Sequence, residues 1–214
     1  MNDSNRYPHR FCNVSLQAVR CNVCFVGSGL KRPTVDKAQP RWIGPGYQKG
    51  TPRVVFMLLN PGSGNGRSDR ADATFRDLLH RFSSGENLLD AIMDHQRADI
   101  SNWGRGRFIK FLNLASLDID NIALMNVAWC ATAQNNYPPL MLRTCLEKHT
   151  LCALTALEPN VIIILGIEAH RYASQIKATL PDTRVIRILH YAHRKGDSAT
   201  RATAKEVNQA IKDI

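Results

Sequence analysis

The chain has 214 residues, with 28 Lys+Arg against 18 Asp+Glu and a formal net charge of +10 at pH 7. That length suits a single α/β domain that buries roughly 70% of its unfolded surface without covalent staples. No run approaches the ~20 continuous apolar residues of a membrane span, and Met1-Asn2-Asp3-Ser4-Asn5-Arg6 lacks the apolar core of a secretory signal, so a cytoplasmic protein with a polyanionic partner is expected.

Residues 1–52 carry little periodicity, with Pro8, Pro33, Pro40, Pro45 and Pro52 scattered among Gly27, Gly29, Gly44, Gly46 and Gly50. They read as an irregular arm held by something other than a ladder of hydrogen bonds. Cys12, Cys21 and Cys24 lie in this arm. The chain has six cysteines, and in a cytoplasmic protein their spacing is read for metal ligation before disulfides.

Val54 to Leu59 is an unbroken apolar run, the pattern of a strand buried on both faces, and it stops at Asn60-Pro61-Gly62. A polar glycine loop fills 63–70. Phe75, Leu78, Leu79 and Phe82 then fall at helical spacing between Ala71 and Phe82, and a second short helix is expected near 86–95. After the basic loop Trp103-Gly104-Arg105-Gly106-Arg107, the spacing of Phe108, Phe111, Leu112 and Ala115 predicts another helix. Ile122 to Val127 reads as a second buried strand that ends near Asn126.

Pro138-Pro139 opens a long helix from about 139 to 157, the favoured placement of proline in a first turn, and Pro159-Asn160 closes it. Val161-Ile162-Ile163-Ile164-Leu165-Gly166 is the clearest strand of the chain. A helix over 167–178, a fourth strand over Arg184–Leu189 and a terminal helix from Ala199 to Lys212 complete the order. Strands separated by helices imply parallel crossovers. The expected fold is a short four-stranded parallel sheet covered by helices on both faces, a three-layer α/β/α domain spanning 1–214.

In such a sheet ligands bind outside the carboxyl ends of the strands. Three strands end in polar residues there, at Asn60, Asn126 and His190, and together these define a pocket for one small ligand. Pro61 restricts Asn60 to an extended conformation and Gly62 allows close backbone approach. Cys21-Asn22-Val23-Cys24 has the two-residue spacing that brings two thiolates to one metal or cluster, and Cys130 with Cys145 forms a second pair. Four thiolates suit zinc or a [4Fe–4S] cluster, and spacing does not choose between them. Cys12 is an alternative to Cys21 as a ligand. No Gly-x-Gly-x-x-Gly or Gly-Lys-Ser/Thr motif follows the first strand, which argues against a nucleotide-binding enzyme.

At these residues the chain resembles the uracil-DNA glycosylase superfamily. Leu59-Asn60-Pro61-Gly62 is similar to the first motif of its mismatch-specific branch. Asn126-Val127-Ala128-Trp129-Cys130, Cys145 and Pro159 to Gly166 are similar to the iron–sulfur branch, and His190 falls where the family places the His of its last motif. Two departures stand out. The last motif of the family normally continues His-Pro-Ser, whereas here it reads His190-Tyr191-Ala192-His193, and the iron–sulfur branch usually carries an acidic residue where this chain has Asn60.

The resemblance implies a monomeric DNA glycosylase for uracil or a related deaminated or modified base, with a [4Fe–4S] cluster favoured over zinc on Cys21, Cys24, Cys130 and Cys145. Asn60 would orient the attacking water, His190 would hydrogen-bond the departing base, and Asn126 would read its pairing edge. Phe75, or second to it Phe82, is the candidate stacking platform. Tyr191 is the candidate wedge into the duplex, with His193, Arg194, Lys195 and Arg67 as DNA contacts. A glycosylase for a larger modified base and a non-catalytic DNA binder of the same fold are the alternatives.

Overall fold

The computed structural model describes residues 7–61, 69–133, 135–191 and 196–214, with 69–71 as backbone only. Four strands, β1 (Val54–Leu58), β2 (Ile122–Asn126), β3 (Val161–Leu165) and β4 (Arg184–Ile188), form one all-parallel sheet in the order β2-β1-β3-β4. Every residue of β1, β2 and β3 is buried, which is why these strands read as continuous apolar runs. At the sheet edge, β4 carries Arg184 and Arg187 among its apolar residues and is partly exposed, a charged edge that resists pairing with another chain. Arg184 Nη1 also donates to the carbonyl of Ala210 near the end of the last helix, at 2.8 Å.

The helices are α1 (His9–Arg20), α2 (Asp69–Ser84), α3 (Leu89–Ile100), α4 (Arg107–Leu114), α5 (Pro139–Cys145), α6 (Leu151–Leu157), α7 (Ile167–His170), α8 (Ala173–Thr179) and α9 (Gly196–Lys212). Right-handed crossovers put α2–α4, between β1 and β2, on one face. The chain then steps back across β1 to reach β3, so α5–α8 cover the other face. Phe56 of β1 meets Phe108 and Phe111 of α4 edge-on at 5.9 and 6.1 Å, and α9 packs on α4 with Asn208 Nδ2 donating to the Ala115 carbonyl at 2.9 Å. The three-layer α/β/α architecture is as expected.

The N-terminal arm differs from the expectation. It contains the amphipathic helix α1, whose buried Phe11, Ser15, Ala18 and Val19 recur at helical spacing. The arm is also held by ladder-type hydrogen bonds. Leu124 N–H donates to Trp42 O at 2.7 Å and Gly44 N–H to Ile122 O at 2.9 Å, and Ile43 bridges antiparallel to Ala123. Residues 42–44 thus cover the outer edge of β2, and Trp42 Nε1 anchors them by donating to Ile119 O at 2.8 Å.

Three smaller differences concern helices. The second expected helix runs 89–100 rather than 86–95. The helix over 139–157 is continuous but widens into a π-helical turn at Leu146–Thr150, between α5 and α6. The helix over 167–178 breaks at Arg171-Tyr172 into α7 and α8. Among the described residues no helix is long and apolar enough to cross a membrane.

Candidate active site

From β1 the chain crosses to β2 on one side, and β3 then lies on the other side of β1. The carboxyl ends of β1 and β3 therefore flank the point where the winding reverses, the place where open α/β sheets leave a crevice for ligands. Asn60 and Pro61 follow β1 at this point, and Gly166 follows β3. Backbone pairing continues past the strands, with Val127 N–H donating to Leu58 O and Ala128 N–H to Leu59 O, both at 2.9 Å. These bonds fix Asn60-Pro61 against the end of β2.

Asn126, the last residue of β2, is fully buried. Its carboxamide satisfies its neighbours in one orientation, in which Nδ2 donates to Met125 O at 3.1 Å and Oδ1 accepts from Arg41 Nε at 2.7 Å. The same oxygen lies 3.1 Å from the nitrogen of Pro61, which carries no hydrogen, so this is packing contact. Asn126 and the Asn60-Pro61 turn meet directly.

His190 stands on the other flank. Its Cβ and Cδ2 would lie 3.6 and 3.7 Å from a Cβ added at Gly166, so the imidazole rests on the glycine that ends β3. Gly166 has φ +90° and ψ 148°, a conformation open only to glycine. The Gly166 N–H donates to Ile188 O at 3.0 Å, and His170 Nε2 lies 3.1 Å from Ile164 O and 2.9 Å from Ile188 O, joining the ends of β3 and β4 beneath His190.

Between the two flanks lies a group absent from the sequence reading. Arg41 is 2% exposed. Besides Asn126 it donates through Nη1 to Gln96 Oε1 at 2.8 Å, and its guanidinium stands 5.1 Å from the ring centroid of Trp103. Trp103 packs on Phe108 at 5.7 Å, Phe108 on Tyr191 at 5.0 Å, and Tyr191 on His190 at 4.3 Å. One continuous set of contacts thus runs from Pro61 and Asn126 through Arg41 and three aromatic rings to His190. Burial pushes the Tyr191 hydroxyl up to about 12, with Arg41 opposing and Asp99 adding to the shift.

Two aromatic candidates fall elsewhere than expected. Tyr191 is 9% exposed and packed on Phe108, and a Cβ at Gly104 would come within 3.0 Å of its ring, so it is a wall of the site rather than a protruding wedge. Phe75 is fully buried on α2 and stacks on His95 of α3, with ring centroids 4.5 Å apart and planes 3° from parallel, which covers one face of the proposed platform. Phe82 is likewise buried. Gly62, Arg67, His193, Arg194 and Lys195 lie outside the described residues.

The four cysteines of the two pairs line one pocket. Cys21, Cys24, Cys130 and Cys145 surround it, together with Asn22, Phe25, Thr144, Lys148 and His149. Burial pushes the Cys130 thiol well up, with Cys145, Cys24 and Cys21 adding to the shift. Burial likewise pushes Cys145 up to about 12, opposed by the Trp129 N–H that donates to its sulfur at 3.1 Å. Cys24 is raised by burial and by Cys21 and lowered by Lys148. All four thiols therefore sit within electrostatic reach of one another. Cys12 does not line the pocket, and its carboxylate neighbour is Asp90; Cys152 is exposed. Among the described residues no group of three or more His, Cys, Asp or Glu side chains is arranged to hold a single metal ion.

A larger open depression of about 640 Å³ is lined by residues of α3, α4 and the turn before β2, among them Arg97, Asn113 and Asp118. Its residues 116–119 precede the amino end of β2, and its lining offers a single arginine and one carboxylate on an open surface. The switch point is the better site on chemistry. Compared with protein-family models and with curated proteins, the chain matches none.

Proposed function

We propose that this protein is a DNA glycosylase that removes uracil or a related deaminated or modified base by water attack, after the nucleotide has flipped out of DNA. The observation that supports this reading is the pairing of polar groups at the switch point: Asn60-Pro61 packed on Asn126 on one flank, and His190 seated on Gly166 on the other.

Glycosidic cleavage leaves oxocarbenium character on the sugar and negative charge on the departing base. His190, as a neutral donor, stabilises that charge at O2 of a pyrimidine, an interaction strongest where water is excluded. Asn60 orients the attacking water through its amide oxygen. An amide does not deprotonate water, so Asn60 contributes position rather than basicity. Asn126 has one amide hydrogen and a second lone pair left after bonding Met125 and Arg41, and these are the donor and acceptor needed by the pairing edge of a pyrimidine. Because Pro61 covers Asn126, a flipped base reaches it only after the Asn60-Pro61 turn moves aside.

Cys21, Cys24, Cys130 and Cys145 are the residues that would hold a [4Fe–4S] cluster, with zinc the alternative. The residues fit such a group, because two buried thiols, Cys130 and Cys145, and two half-buried ones, Cys21 and Cys24, line one small pocket. When bound, the cluster would tie the 21–24 segment to the ends of β2 and α5. The charge of +10 suits DNA as partner, with Arg67, Arg194 and Lys195 as its proposed phosphate contacts and His193 as a further DNA contact.

The test is an alkali-cleavage assay on oligonucleotides that carry uracil, hypoxanthine, xanthine or a larger modified pyrimidine. Cleavage of the uracil strand supports the reading, and cleavage of the larger-base strand alone favours that substrate instead. Salt-dependent binding with no cleavage of any strand leaves a non-catalytic binder.

A further inference from the structure

His149 lies in the π-helical turn Leu146–Thr150, one residue before a tightly held threonine. The Thr150 hydroxyl lies 2.8 Å from Asn126 O and 3.0 Å from Val127 O, and it accepts from Trp129 Nε1 at 3.0 Å. These bonds clamp the turn to the segment that leads from β2 to Cys130. Widened helical turns of this kind are frequent at functional sites.

The imidazole of His149 is 7% exposed, and neither ring nitrogen has a hydrogen-bond partner. A buried polar group left unsatisfied is costly, so an unpartnered imidazole calls for a ligand. The ring lines the same pocket as Cys21, Cys24, Cys130 and Cys145. Lys148, Asn22 and Thr144 are the other polar groups on that lining.

We propose that His149 donates a ring N–H hydrogen bond to a sulfur of the iron–sulfur cluster held by the four cysteines. This inference rests on the cluster proposed above. A hydrogen bond to cluster sulfur favours the state with more negative charge, so it raises the reduction potential and moves electron density away from the iron–sulfur bonds. His149 is in this sense a positioning and tuning residue, and it takes no part in base excision.

The experiment compares anaerobically purified wild-type protein with His149→Phe and His149→Gln by iron and sulfide analysis, resonance Raman spectroscopy and EPR-monitored redox titration. At equal iron content, H149F is expected to shift the iron–sulfur stretching bands and to change the oxidised-to-reduced ratio at fixed potential roughly tenfold toward oxidised. H149Q, which keeps a donor, is expected to recover most of both effects. Unchanged bands and potential in H149F at full iron content overturn the inference while leaving the cluster in place. Wild-type protein with zinc or no metal overturns the cluster and the inference together. Should H149F not fold, the wild-type protein labelled with ¹⁵N-histidine decides: a hyperfine-shifted ring nitrogen supports the bond, and seven unshifted histidines overturn it.

Discussion

Arg41 Nε donates to Asn126 Oδ1 at 2.7 Å, joining a residue of the N-terminal arm to the last residue of β2 at a fully buried point. The bond fixes the orientation of the carboxamide. In the proposed glycosylase it would also make Arg41 a determinant of what Asn126 recognises.

Removing this cation should therefore be costly in two ways. Arg41→Met is expected to lower unfolding free energy by about 1.5–3 kcal/mol, the range for a hydrogen bond to a charged group, as measured by urea titration. It is also expected to weaken discrimination between uracil and cytosine, because the amide is then free to rotate. Arg41→Lys should recover less than half of the stability, since one ammonium cannot reach Asn126 and Gln96 with the planar fork that Arg41 uses.

At Asn60 the prediction concerns pH. Asn60→Ala should reduce base release at least a hundredfold, with DNA binding kept. Asn60→Asp should retain or raise the rate near neutral pH, because a carboxylate activates water that an amide only orients. Its rate should fall in acid as that carboxylate takes a proton, whereas the wild-type amide has no such step. An acid limb shared by both proteins would show that residue 60 does not face the water.

Gly166 carries His190 and cannot be replaced without backbone strain. Gly166→Ala is expected to cost about 1–3 kcal/mol because φ of +90° with an extended ψ is open only to glycine. Base release should fall more than tenfold at a temperature where the variant is still folded, as the strained backbone beneath His190 shifts; the added Cβ itself meets the imidazole at ordinary contact distance. Thermal unfolding monitored beside activity separates the two effects.

Removal of the metal should act on the arm. Cys145→Ser, or chelation of the wild-type protein, is expected to abolish absorbance near ~400 nm and to expose the 21–31 segment to limited proteolysis. The sheet should survive, because residues 39–44 remain bonded to the segment from β2 to Trp129.

The sheet was legible because its first three strands are buried on both faces and leave uninterrupted apolar runs in the chain. The polar stops at Asn60, Asn126 and His190 marked the carboxyl ends of the strands, but which strands flank the switch point depends on the order β2-β1-β3-β4, which only the structure gives. Arg41 was not legible, because Gln39-Pro40-Arg41 sits in a stretch without periodicity and its partners Gln96 and Asn126 lie far along the chain. Helix α1 was hidden by the prolines and glycines that follow it, although Phe11, Ser15, Ala18 and Val19 carry the period. Phe75 shows the converse limit: helical spacing marks a ring as inward but cannot say that His95 will cover its face. His149 lies within an unbroken helical pattern, and no local signal announces the π-helical turn that sets it against the cysteines.

The most direct measurement is mass spectrometry of free base released from a uracil-containing oligonucleotide by metal-replete protein, run beside Asn60→Ala and His190→Ala. Free uracil from the wild type, with release reduced at least a hundredfold in both variants at unchanged DNA binding, is the expected result. No free base from uracil or any other modified substrate, with the variants indistinguishable from the wild type, would contradict the proposed function.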